Sequence, residues 1–353
     1  ESNDILSGGL SVHSNSTRHD IINPYKVRIL YGGNNNDIAL WAKYKFVGLP
    51  NTVIDGGIRY SHSSSSGDNR NVIEPRINAK YKVSDDFSIK GSFTRMHQSV
   101  ISIQDENDVV ALFQSYIPIT DKYQPERADQ YVLGFDARLS DNYVFIVQGY
   151  LKDIFNYLDY NQNRETQNAS DFSSGQGKSK GLEFYLKFNY EYVYGWITYN
   201  LSWTDKTIDN YRFYPRFDKR HSLSAVMSVK LPYNVDMGII WDFSTGMPFT
   251  PIANVFRQPI LGVSDSYFSP SPIIGYSEHT ILGAKNSLRL PKYHKLDINF
   301  SHSFSFEYLP KVDISLDLTN VYDQKNIFYF DSKTGNRVNQ LSFFVSGSIG
   351  IEI

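Results

Sequence analysis

The sequence predicts an all-β fold of the transmembrane antiparallel β-barrel class. Three observations carry that prediction. Apolar and polar residues alternate with period two along much of the chain, short and long connections between these stretches take turns, and no run of 18 or more apolar residues offers a membrane-spanning helix. A barrel strand faces lipid on one side and water or a polar lumen on the other. A mean hydropathy of −0.38 is therefore compatible with a membrane protein of this kind.

The alternation can be followed in chain order. Ile73, Ile77, Ala79, Tyr81 and Val83 oppose Glu74, Arg76, Asn78, Lys80 and Lys82. Tyr143–Leu151 is apolar on both faces, which leaves its register open. Leu182, Phe184, Leu186 and Phe188 alternate with Glu183, Tyr185, Lys187 and Asn189. Two apolar rows follow, Leu223 to Leu231 and Val235 to Phe243. Leu296, Ile298, Phe300, His302 and Phe304 oppose Lys295, Asp297, Asn299, Ser301 and Ser303, and Val312, Ile314, Leu316 and Leu318 oppose Lys311, Asp313, Ser315, Asp317 and Thr319. The C-terminal row is Phe343, Val345, Ile349, Ile351 and Ile353. Such rows define strands with one apolar and one polar face, about fourteen in all, each near the ~9–11 residues that cross a membrane at a tilt. Pro75 removes a ladder donor from its strand, close to the loop end where frayed pairing costs least.

Short links are expected at Val47–Asn51, Ser84–Asp86, Ser140–Asn142, Tyr190–Tyr192, Pro232–Asn234 and Ser305–Pro310. Between them lie the longer Ser14–Asn36, Ser61–Asn71, Val100–Ala128, Leu158–Ser174, Lys206–Lys219, Thr245–Tyr293 and Asn320–Gln340. A membrane barrel has short periplasmic turns and longer extracellular loops. A soluble sandwich or propeller is the alternative, its apolar rows packing a core. It has no reason to place its long loops at every second connection. Aromatics near strand ends, such as Phe87, Tyr131, Trp203 and Phe243, suit interfacial girdles, although strands favour aromatics everywhere.

Composition narrows function further. A formal net charge of −2 gives no electrostatic reason for a nucleic-acid partner, and the absence of cysteine removes disulfides and thiolate metal sites. Catalysis is poorly supported. His221 and Asp218 share a segment but lack a serine elbow or metal partner, and the eight histidines show no metalloprotease spacing. The acidic residues Asp105, Glu106 and Asp108 and the run Asn34–Asp37 contain oxygen ligands without EF-hand spacing, and solvated loop chemistry explains both. No cofactor and no metal site are expected.

Several stretches resemble the barrel of TonB-dependent receptors, particularly the large Bacteroidetes-type receptors. Tyr123–Phe135 (YQPERADQYVLGF) resembles a Pro-Glu start to a strand running into Leu-Gly-Phe, and Gly177–Phe184 (GKSKGLEF) a strand start of small residues followed by Gly-Leu-Glu. Arg216–Leu223 (RFDKRHSL) resembles the aromatic-Asp-x-Arg-His start. Ser244–Pro251 (STGMPFTP) is similar to a strand-to-loop exit, and Leu318–Asn326 (LTNVYDQKN) to a near-terminal Asn element. Their order and spacing cover nearly the whole chain. The haem-receptor loop signature is not among them, which disfavours haem.

The resemblance implies a 22-stranded barrel in the bacterial outer membrane, filled by an N-terminal plug, of which residues 1–353 are the C-terminal part. The plug and first strands are expected outside this chain, on a second chain or a removed segment. Ile353 stands where such proteins usually end in an aromatic. The implied activity is energy-coupled import of a scarce nutrient, with the TonB complex engaged through the plug, outer-membrane lipid around the barrel and a surface lipoprotein lid as a further partner. The ligand stays open among iron chelates, cobalamin, glycans and peptides. A passive porin with an autonomous fourteen-stranded barrel is the alternative, and a soluble β-rich adhesin a third reading.

The ligand-binding expectation falls on the long loops, where Tyr211, Arg212, Tyr214, Arg257, Tyr267 and Tyr276 combine flat contact area with polar specificity. The bland alternative is that these loops pack on one another. The apolar stretch Val109–Phe113 needs a cover. Glu74, Arg76, Lys80, Lys82, Glu183, Lys187, Asp297, Asp313, Asp317 and Glu352 are expected to face the lumen.

Overall fold

The computed structural model describes residues 4–22, 28–64, 71–103, 115–119, 122–160, 170, 172–262, 273–304, 311–330 and 335–352. Tyr267, the acidic residues Asp105, Glu106 and Asp108, the apolar stretch Val109–Phe113, the link 305–310 and Ile353 lie outside them.

Fourteen strands follow one another through a single antiparallel sheet: β1 (Ile5–Ile22), β2 (Arg28–Phe46), β3 (Thr52–Ser63), β4 (Asn71–Lys82), β5 (Phe87–Gln98), β6 (Glu126–Ser140), β7 (Tyr143–Tyr160), β8 (Phe172–Asn189), β9 (Val193–Ile208), β10 (His221–Leu231), β11 (Val235–Ser244), β12 (Tyr293–Phe304), β13 (Lys311–Thr319) and β14 (Phe344–Glu352). Each pairs with the next, and no pairing of β1 with β14 is found among the described residues. Tyr211–Phe213 adds a short fifteenth strand beside the end of β9. Smaller ribbons lie within the long connections: Val100–Ile103 with Ser115–Pro118, Ile252–Leu261 with Ile273–Leu282, and Ile327–Phe330 with Arg337–Asn339.

The register shows which face is which. Along β3 and β4, Tyr60 opposes Ile73, Gly56 opposes Ile77 and Thr52 opposes Tyr81, while Arg59 opposes Glu74 and Val53 opposes Lys80. The apolar set is open to the surroundings: Ile58, Tyr60, Ile73, Ile77 and Tyr81 are 44–55% exposed. Eight hydrophobic residues are buried among the described ones, and five of them form one small cluster away from these rows. A soluble sandwich has to bury such rows, so an apolar solvent must cover them here. The sheet is a membrane wall.

All ten charges expected in the lumen share the opposite face. Several polar groups on that face pair across strands. Lys80 and Lys90 reach Asp136 at 3.0 and 2.7 Å, Lys43 reaches Asp55 at 2.8 Å, and Asn299 donates to Asp317 at 2.6 Å. The ambiguous stretch at the start of β7 is settled by its partners. Phe145, Val147, Gly149 and Leu151 lie with the apolar residues Phe135, Leu133 and Tyr131, whereas Ile146 and Gln148 oppose Asp136 and Gly134.

Strands are longer than a bilayer requires. The β1–β2 ladder runs from Ile5↔Lys45 to Ile22↔Arg28, so most of the loop expected over Ser14–Asn36 is paired strand. Above the membrane both faces meet water. The apolar rhythm that marks a strand disappears there while the backbone ladder continues. Pro75 shows the converse. Pairing of β4 with β3 runs through it, but pairing with β5 stops at Arg76↔Thr94. Beyond that point the Glu74 carboxylate accepts the His97 N–H at 2.6 Å and takes the place of the lost rung.

At the end of β13, Asn320 is buried with φ +53°, a left-handed conformation that Asn tolerates better than most residues. Its amide donates to the carbonyls of Gln324 and Leu341, each at 3.0 Å, and accepts the Gln324 N–H at 2.9 Å. Asn320→Ala removes three buried hydrogen bonds at a strained backbone position. It should lower unfolding stability by about 2–4 kcal/mol, read from urea titration of the protein refolded into lipid vesicles.

Candidate functional site

The long connections converge at one end of the sheet, and their base is built around Asp218. Its side chain is fully buried. Oδ1 accepts the Thr204 N–H at 2.8 Å near the end of β9, and Oδ2 accepts from Arg220 at 3.4 Å and from Arg289. The other guanidinium nitrogen of Arg289 donates to the carbonyls of Asp218 at 2.7 Å and Gly246 at 3.2 Å. One carboxylate thus ties together two connections, 209–220 and 245–292. Gly246 permits the close approach, since a Cβ there would lie 1.5 Å from the Leu290 carbonyl oxygen.

Cations around this anchor stand over aromatic rings. Arg220 and Arg289 lie 5.8 and 5.3 Å from the Tyr214 ring, Lys206 lies 3.3 Å from Tyr157, and Lys285 lies 4.7 Å from Phe213 while pairing with Asp159. Such contacts hold each cation against its ring. A second cluster lies nearby. Ile101, Ile117 and Ile119 pack against Leu158 of β7 and Phe172 of β8. Ser99, at the root of that ribbon, is held on β2 by Asn35 at 3.1 Å and Asp37 at 2.6 Å. The Asn34–Asp37 run is thereby engaged in fastening a loop.

The expected ligand residues fall into two groups. Tyr211, Arg212 and Tyr214 share the 209–220 connection. Tyr211 stacks on Phe213 at 6.4 Å, Arg212 pairs with Asp205 at 3.0 Å, and Tyr214 sits under the two guanidinium groups. Arg257 and Tyr276 lie on the long exposed ribbon, Tyr276 opposite Pro259 and 60% exposed. Lys206, Asp218, Lys285 and Arg289, which organise the base, were not singled out as a site by sequence. Asp218 alone had a signal, its place before Arg220 and His221. His221 itself meets the Tyr199 hydroxyl at 2.8 Å.

A family model described as "TonB dependent receptor-like, beta-barrel" matches residues 7–321. The chain belongs to the TonB-dependent receptor β-barrel family. It is a bacterial outer-membrane protein, with the short turns on the periplasmic side and the Asp218 region on the extracellular side. A search of curated proteins returned no match.

Solved structures share the fold at low identity. The ferric-catecholate import receptor Fiu from K12 E. coli is 11% identical with a TM-score of 0.62, covering 99% of this chain and 52% of its own. The ferric citrate transporter FecA is 12% identical with a TM-score of 0.63, covering 98% and 51%. The ferric enterobactin receptor PfeA from Pseudomonas aeruginosa is 10% identical, again with a TM-score of 0.63, covering 98% and 51%. The chain spans about half the length of these receptors.

In this receptor barrel three of the family-like motifs complete unpaired strand ends, whereas Gly177–Phe184, expected at a strand start, runs inside β8. Glu126 of the Pro-Glu motif accepts the Leu158 N–H at 2.9 Å, Asp218 accepts that of Thr204, and Asn326 accepts that of His294 at 3.2 Å while donating back to the His294 carbonyl at 2.8 Å. Asp218→Ala strands two guanidinium groups and one N–H, and should cost about 3–5 kcal/mol. It should also expose the 245–292 connection to limited proteolysis on intact cells, whereas Arg212→Ala, at an exposed ion pair, should leave cleavage unchanged.

In the last extracellular connection, Lys325 and then the Phe343 N–H hold the Asp323 carboxyl below its ordinary range. A depressed carboxyl pKa stabilises the fold above the unfolded value, and that contribution fades as pH falls through the folded one. Hydrogen exchange at the Phe343 amide, corrected for intrinsic rate, should accelerate below about pH 4 and lose this pH dependence in Asp323→Asn.

Proposed function

We propose that the protein takes part in energy-coupled uptake of a scarce nutrient across the outer membrane. The family match over residues 7–321 carries this reading. The ligand is first held at the extracellular mouth by Tyr211, Arg212, Tyr214, Arg257, Tyr267 and Tyr276, and the TonB complex then acts through an N-terminal plug. Ferric chelates are the ligand class to test first, because Fiu, PfeA and FecA are named for ferric cargo and a cation-rich, aromatic mouth suits an anionic chelate.

The reading includes further strands and a plug, contributed by another segment or a second chain, that complete the sheet. Leu6, Leu10 and Val12 on β1 and Ile349 and Ile351 on β14 are 61–76% exposed, and an unpaired strand edge in lipid leaves N–H and C=O groups unsatisfied. That requirement favours a larger barrel over an autonomous fourteen-stranded pore. A lipoprotein lid over the mouth is compatible with the exposed ribbon Ile252–Leu261/Ile273–Leu282.

Uptake of a radiolabelled ferric chelate by cells expressing the intact protein should stop when TonB is deleted or a protonophore is added. Arg257→Ala with Tyr276→Ala should weaken chelate binding about tenfold or more without changing the amount of protein in the membrane. TonB-independent uptake accompanied by steady conductance in planar bilayers would replace this reading with the passive channel.

A further inference from the structure

The apolar outer face is not uniform. Across β5 to β8 the register aligns Gly91, Leu133, Gly149 and Leu182 in one lateral row. On its loop side lies the row Phe93, Tyr131, Leu151, Lys180 and Trp203, and on its turn side the row Ile89, Phe135, Val147 and Phe184. Gly149, between rows of larger side chains, leaves a groove of about 890 Å³, walled by Phe87, Ile89, Leu133, Phe135, Val147 and Leu182. That volume falls within the ~300–1,000 Å³ range of small-molecule sites. From Val147 to Leu151 the groove extends about 14 Å along β7, toward the extracellular side.

The charges at its head distinguish it from ordinary lipid-facing surface. Just beyond the Lys180 row, Arg95 is paired with Asp129 at 2.7 Å, Lys178 with Asp153 at 3.9 Å, and Arg212 with Asp205 at 3.0 Å. Lys180 is exposed and has no carboxylate within 4.0 Å among the described residues, and its ammonium lies 5.9 Å from the Trp203 ring. Among the described residues, a cation without a counter-charge therefore stands at the polar end of an apolar groove, at the depth where headgroups meet the barrel.

We propose that this groove holds one anionic membrane lipid, its acyl part lying over Gly149 and its headgroup phosphate on Lys180. The ammonium supplies the charge complement, Trp203 provides an amphipathic wall, and Gly149 sets the depth. The assignment rests on the membrane placement of this face and not on the transport reading, so failed uptake would leave it standing.

Native mass spectrometry of the full-length protein, titrated in detergent with phosphatidylglycerol or phosphatidylcholine, tests it. Expected is one phosphatidylglycerol bound more tightly than phosphatidylcholine, about tenfold weaker binding in Lys180→Gln, near-normal binding in Lys180→Arg, and loss in Gly149→Leu, which fills the groove without touching the lysine. Circular dichroism confirms that each variant keeps its strands, and inorganic phosphate should not displace the lipid. Equal affinity for the two lipids, wild-type binding in Lys180→Gln and Gly149→Leu, or displacement by inorganic phosphate would each overturn the assignment.

Discussion

Every backbone N–H and C=O of a membrane-crossing strand must find a partner within the protein, because hydrocarbon supplies none. The nearest-neighbour order of β1 to β14 is the simplest answer to that demand. The requirement is hardest to meet where neighbouring strands stop at different heights. A rung is missing there, and a side chain has to replace it. Glu74 does so for His97, Glu126 for Leu158, Asp218 for Thr204, Asp297 for Asn320 and Asn326 for His294. All five replacements use an acid or an amide, short side chains rich in acceptors that are aimed from one strand end at the next.

These replacements place the mouth. Asp218 serves the ladder with one oxygen and binds Arg220 and Arg289 with the other, so the group that ends β9 also fixes the root of the 245–292 connection. The two guanidinium groups, held by that carboxylate, in turn lie over Tyr214. Closing the backbone ladder and orienting an extracellular tyrosine are thus one arrangement. A residue whose first duty is structural decides where an expected ligand contact stands.

What the sequence made legible follows from the same physics. Lipid forces the outer face to be apolar, so Leu296, Ile298 and Phe300, or Val312, Ile314 and Leu316, announce both strand and register. Pro232–Asn234 and Tyr190–Tyr192 announce turns because little else fits between such rows. Above the membrane this constraint lapses, and the paired Ser14–Asn36 segment reads as a loop although its ladder is intact. The Asp218–Arg289 contact spans 71 positions and obeys no period, so only its aspartate could be noticed. Tyr211, Arg212 and Tyr214 were legible as a cluster because they are adjacent in the chain. Lys206 and Lys285, which share their surroundings, arrive from the end of β9 and from a turn of the 245–292 connection.

The inner wall differs from the mouth in how its charge is used. Lys80 and Lys90 share Asp136, Lys43 meets Asp55 and, within one strand, Lys295 meets Asp297, so these cations and carboxylates of the lumen answer one another along the wall. Charges paired in this way exert little net pull on the lumen. At the mouth, Arg220, Arg289, Lys206 and Lys285 lie on aromatic faces. On the proposed uptake reading, selective contact belongs to the extracellular connections, and the strands beneath hold those connections at a fixed spacing.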